Sequence, residues 1–173
     1  MRRILATLAV VGALLFSAGS AWAEVPSWAV GMDEALEEIS EAITAYESGD
    51  YTTALQQALP FATGGNPLAQ TLVGHFFGEG LGVEKNSVEA FKWLRKAAEQ
   101  GFAEAQFSVG HYYDLGDGVP VNKVRAYMWY SLAVAQGNEI AAPPLQYLDE
   151  HMSSSDISKA QELAIDWWEK HNN

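Results

Sequence analysis

His75 and His111, 36 residues apart, are the side chains of this sequence best suited to chemistry. Neutral imidazole ligates zinc, and an ordinary titration near pH 6.5 suits it to proton transfer. The surrounding sequence supplies neither role with partners. A catalytic zinc takes three protein ligands, and no third ligand stands at fitting spacing. No Gly-x-Ser-x-Gly elbow or His-Glu-x-x-His helix occurs. Among the 22 aspartates and glutamates no flanking motif marks a pair for acid and base work. The run Gly78-Glu79-Gly80-Leu81-Gly82 has the glycines of a phosphate cradle. It follows a helical pattern, however, and no Lys-Ser/Thr pair closes it. With no cysteine in the chain, disulfides, thiolate nucleophiles, thiolate metal sites and a lipidated N-terminal cysteine are excluded. The expectation is a protein with no catalytic residue, no metal and no cofactor.

The two histidines are positioned by one pattern written twice. Ala69-Gln70-Thr71-Leu72-Val73-Gly74-His75-Phe76-Phe77 aligns without a gap on Ala105-Gln106-Phe107-Ser108-Val109-Gly110-His111-Tyr112-Tyr113. The 36-residue register then carries Gly80, Gly82 and Asn86 onto Gly116, Gly118 and Asn122, and Ala90, Trp93 and Ala97 onto Ala126, Trp129 and Ala133. A fixed period of this size denotes stacked supersecondary units. Within each copy the small and apolar residues fall at helical spacing on both sides of a Gly-x-Gly loop, so each unit reads as helix, loop, helix. The first glycine is placed to end the first helix in a left-handed conformation, and Asn86 and Asn122 stand where N-caps belong.

These residues resemble the Sel-one-like repeat (SLR), a longer-looped relative of the tetratricopeptide repeat. The match is carried by Ala-x-x-x-Val-Gly-x-x-Phe/Tyr, Gly-x-Gly-Val-x-x-Asn, and Ala-x-x-Trp-x-x-x-Ala-x-x-Gln-Gly. The resemblance implies an all-α, right-handed solenoid of about four antiparallel helix pairs that binds other proteins and carries no catalytic residue.

The rest of the chain extends that plan. Residues 33–65 read as a divergent first repeat with a short loop, in which Leu36, Ile39, Ile43 and Tyr46 form a helical stripe and Ala54 keeps the register of Ala90. Pro60 is expected to bend its second helix or end it early. Two full repeats follow at 66–102 and 103–139, then closing helices at 140–173. There Pro143 and Pro144 suit a first turn, and Ser153 with Asp156 suits a capping box. Such end helices cover the face that a missing neighbour would leave exposed. Trp167 and Trp168 are adjacent, so only one of them faces the core.

Arg2-Arg3, the apolar run to Phe16 and Ala21-Trp22-Ala23 make residues 1–23 a cleavable signal peptide, with 24–32 a flexible lead-in. A periplasmic or secreted protein without stable membrane insertion is expected. Loss of Arg2 and Arg3 takes the net charge from −12 to −14. That charge repels nucleic acid and anionic lipid and favours basic or neutral protein partners.

On the first helix of each repeat, position 75 and its equivalent lie off the core stripe. The candidate contact residues of an inner surface are Thr71, His75, Phe107, His111 and Asp114, with Phe107 standing where Thr71 stands one repeat earlier. Trp93 and Trp129 are assigned to packing. The function expected is a non-catalytic adaptor or regulator that holds a protein or peptide segment of the envelope. An aromatic groove acting on carbohydrate and a self-assembling subunit are the alternatives.

Overall fold

The computed structural model describes residue 37 and residues 39–172. The expected signal peptide, the lead-in and Leu36 lie outside the described residues. Eight α-helices follow one another with no strand among the described residues: α1 Ser40–Glu47, α2 Tyr51–Gly64, α3 Pro67–Glu79, α4 Ser87–Glu99, α5 Ala103–Leu115, α6 Lys123–Ala135, α7 Ala142–His151 and α8 Ser154–Asn172.

The helix ends fall where the sequence supplies caps. The carboxamide oxygens of Asn86 and Asn122 accept the backbone N–H of Glu89 at 3.1 Å and of Arg125 at 3.0 Å. Asp50 and Asn66 do the same for α2 and α3. Each such cap satisfies a donor that the first helical turn leaves without a partner. Helices α3 and α5 end on Gly80 and Gly116 in the left-handed conformation. Ser153 and Asp156 form the expected cap before α8, with Asp156 N–H donating to the Ser153 hydroxyl at 3.1 Å. Pro143 and Pro144 fall in the first turn of α7.

Short loops make consecutive helices pack from α1 through α7, and α8 returns onto α6. The odd-numbered helices also meet one another: the Tyr46 ring of α1 lies 5.8 Å from Phe76 of α3. On the even side, Trp129 of α6 lies edge-on to Trp167 of α8 at 5.9 Å. The result is a stack of helix pairs with an odd layer and an even layer, an all-α solenoid. Small residues make the close stacking possible. Ala54, Ala90 and Ala126 on the even helices are fully buried, and so are Ala69, Ala105 and Ala141 at the starts of successive odd positions. Both triplets are spaced by 36 residues. Gly74 and Gly110 complete the fit, because a methyl group there would lie 2.6 Å from Leu94 Cγ and 2.7 Å from Tyr130 Cδ1.

Two local expectations change. Helix α2 continues past Pro60 to Gly64, since neighbouring packing on buried Ala58 and Ala62 outweighs one lost backbone bond. Trp93 is not in the core. It is half-buried, with the Lys96 ammonium 4.0 Å over its ring, whereas Trp129, its repeat equivalent, is buried under α8. The extra cover comes from the closing helix, which packs on α6.

Candidate functional site

The odd layer holds all five candidate residues, and the structure treats them differently. Thr71 is 4% exposed, and its hydroxyl donates to the Pro67 carbonyl at 2.8 Å. It belongs to the packing of α3 rather than to an open wall, because the short side chain is covered and its hydroxyl is held by a carbonyl of its own helix. Phe107 is half-buried, its ring 5.9 Å from Tyr130 underneath and stacked at 6.2 Å on His111, which is exposed. Asp114 closes this group from the C-terminal end of α5 and accepts from Lys123 Nζ at 2.6 Å. Phe107, His111 and Asp114 therefore lie along one helix, whereas His75 lies one repeat away on α3.

His75 is set apart by burial. Its Nε2 atom is buried with no hydrogen-bond partner in the protein, and desolvation holds its pKa below the usual imidazole value against an opposing contribution from Glu79. A histidine kept neutral in the folded state binds fewer protons than the unfolded chain does. Stability from this group is thus complete above about pH 6.5 and is lost as pH falls from there toward the lowered folded value, with a slope of at most about 1.4 kcal/mol per pH unit. Glu104, pushed up mainly by burial, acts with the opposite sign just above the ordinary carboxylate range. Chemical unfolding of the parent and of His75→Gln between about pH 7 and pH 5 separates the two. The parent should lose more stability than the variant over that range, and parallel curves would show that His75 is not held neutral.

Glu79 gathers residues from three odd helices. It is exposed at the end of α3. It lies within electrostatic reach of Tyr46 on α1, His75 on its own helix and Tyr112 on α5. Tyr112 is pushed up to about 12, first by burial and then by Asp117 and Glu79. Its hydroxyl rests against Gly78, where a methyl group would come within 2.5 Å. No cation is paired with Glu79, since the ion pairs among the described residues are Lys92–Glu89, Arg95–Glu99 and Lys123–Asp114.

Sequence reasoning left Glu79 without an orientation, because its surroundings come from helices some 30 residues before and after it. It also gave no role to the glutamines of the repeat. Gln70 Nε2 donates to the Ala62 carbonyl at 3.1 Å, and Gln100 Nε2 donates to Gln70 Oε1 at 2.8 Å. One repeat on, Gln106 bonds Ala98 at 3.3 Å and accepts from Gln136 at 2.6 Å. The available sign was that Gln70 and Gln100 recur together in register, which is what a buried polar rung repeated per unit produces. No group of three or more metal-ligating side chains assembles among the described residues. No helix among them is long and apolar enough to cross a membrane.

A protein-family model described as Sel1 repeat matches residues 67–102, 103–138 and 150–170. Among solved structures, the Sel1 repeat protein from Oxalobacter formigenes is 35% identical over 77% of this chain and 54% of its own, with a TM-score of 0.65. The c5321 protein, a protective antigen of uropathogenic Escherichia coli strains that displays an SLR fold, is 23% identical over 83% of this chain and 32% of its own, with a TM-score of 0.74. At that identity the second likeness concerns the fold alone. This chain spans about half the length of the first protein and a third of the second. No curated protein matches the sequence.

Proposed function

The chain belongs to the Sel1 repeat family, whose members generally serve protein–protein interaction, and from that premise we propose that it is a non-catalytic adaptor of the cell envelope that holds a protein or peptide segment on its odd-helix layer. The observation that carries the reading is the stacked Phe107–His111 pair, an aromatic side chain and an exposed imidazole presented from a helix that the core fixes in place. Rigid aromatic anchors of this kind supply contact area while little conformational freedom is lost on binding. Asp114 stands on the same helix as that pair, His75 stands one repeat away on α3, and Thr71 contributes through packing alone. The acidic balance of the chain favours a basic or neutral partner over nucleic acid. The basic start and Ala21-Trp22-Ala23 favour export.

Phe107→Leu combined with His111→Ala retains an apolar side chain over Tyr130 while removing the stacked pair. Capture of partners by crosslinking in the native envelope should fall at least tenfold for this double variant, with the helical circular dichroism unchanged. Capture at the parent level would mean that another face makes the contact.

A further inference from the structure

The loop between α5 and α6 carries the one Asp-Gly pair of the chain, Asp117-Gly118, where the preceding repeat has Leu81-Gly82. Glycine stands on both sides of the aspartate, and Asp117 and Gly118 are exposed. A glycine has no Cβ to shield the peptide nitrogen that follows the carboxyl group. Among the described residues the Asp117 carboxylate takes no hydrogen bond or ion pair, and the Gly118 N–H has no acceptor. The other described aspartates are held or shielded. Asp50 accepts the Thr53 N–H at 3.2 Å, Asp114 accepts from Lys123 at 2.6 Å, Asp149 from the Tyr127 hydroxyl at 2.9 Å and Asp156 from Ser153 at 2.8 Å. Asp166 precedes Trp167 inside α8, where the main chain is fixed in the helix.

An aspartyl carboxyl beside an unhindered peptide nitrogen can close on it to form a cyclic imide. We infer that Asp117-Gly118 is a self-modification site, at which an isoaspartyl linkage forms and unseats this loop from α4. The Gly118 nitrogen attacks Asp117 Cγ, the carboxyl C–OH bond breaks, and water leaves with the amide proton. Water then adds to the main-chain carbonyl carbon of the five-membered imide and breaks its bond to nitrogen. No atom is gained or lost, but the main chain now runs through Cβ and Cγ and is one methylene longer. Little room exists for that atom. The loop is pinned at its ends, with the Gly116 N–H donating to the Tyr112 carbonyl at 2.9 Å and the Asn122 N–H to the Tyr113 carbonyl at 2.9 Å. Between them Gly118 lies so close to the start of α4 that a methyl group added there would come within 2.5 Å of the Ser87 carbonyl carbon.

The test ages the full chain in mildly acidic buffer made with heavy-oxygen water, then reads each aspartate by tandem mass spectrometry and by resistance to an aspartate-specific endopeptidase. Labelled isoaspartate should accumulate at residue 117 at least tenfold faster than at any other described aspartate. Asp117→Glu, which would have to close a six-membered ring, should stay unmodified at that position. In urea, a second unfolding transition at lower denaturant should grow in proportion to the modified fraction of the parent and should be missing from Asp117→Glu aged alongside it. Modification that appears only when the chain is aged unfolded in urea would overturn the inference, because the seated loop would then protect the bond. Isoaspartate that accumulates with no change in unfolding would overturn the unseating, since the loop would have accommodated the longer chain.

Discussion

Gly118→Ala is expected to remove roughly 3–4 kcal/mol of stability, a large part of what a domain of this size has. Two costs meet at this residue. Its φ of 67° lies in the left-handed region, where a residue with a Cβ pays about 1–2 kcal/mol. The added methyl would also lie 2.5 Å from the Ser87 carbonyl carbon, 2.6 Å from its oxygen and 2.8 Å from the Val88 nitrogen. Those are backbone atoms at the start of α4, so no side-chain rotation relieves the clash, and overpacking adds about 1–3 kcal/mol. Gly137→Ala is the matching control. Its φ is 87°, but nothing lies within 4 Å of the added methyl, so only the conformational cost of about 1–2 kcal/mol applies. Thermal and urea unfolding of the two variants measure the difference directly. Equal losses would show that the loop before α6 does not seat against α4.

Gly118 also locates the damage. The contact joins one repeat to the repeat before it, and its equivalent at Gly82 seats the preceding loop on Tyr51 and Thr52 in the same way, since a methyl group added there would lie 2.6 Å from their backbone atoms. Stability in a repeat stack is a sum of unit terms and nearest-neighbour interface terms. Weakening one interface should therefore broaden the unfolding transition as well as lower its midpoint, because the segments on either side of it become less tightly coupled.

The fold was legible because its determinants are local and repeated. Ala69 and Ala105, the caps at Asn86 and Asn122, and the glycines at 80 and 116 each declare their role within one turn of helix. What could not be read depends on neighbours distant in sequence. Trp93 and Trp129 occupy one repeat position, and only α8, through Trp167, decides that the second is buried. Thr71 and Phe107 share a position too, but side-chain length sends one into packing and the other to the surface. Helical phase placed both near the same wall, and phase alone carries no information on how deep a side chain sits. The Glu79 environment was hidden for a similar reason, since Tyr46 and Tyr112 reach it only once three odd helices are stacked.

Gln106→Ala is expected to cost about 3 kcal/mol, comparable to loss of a large core side chain, although the residue is polar. Gln106 is fully buried. It donates to the Ala98 carbonyl of α4 and accepts from Gln136 just past α6, so one side chain ties three successive helices. Truncation removes two hydrogen bonds of about 1 kcal/mol each and leaves a cavity, while the Ala98 carbonyl keeps the Gly101 N–H as a partner. Gln106→Leu should recover the packing part and still lose the polar part, which places it between the parent and Gln106→Ala. Gln136→Ala leaves the Ala98 bond intact and should cost about 1 kcal/mol. In the double variant the two losses should fall short of additivity by about 1 kcal/mol, the coupling expected of groups that share one bond. Additive losses would mean that Gln106 acts through volume alone. The repeated glutamine would then be a filler of the core instead of a polar rung that bonds successive helices together.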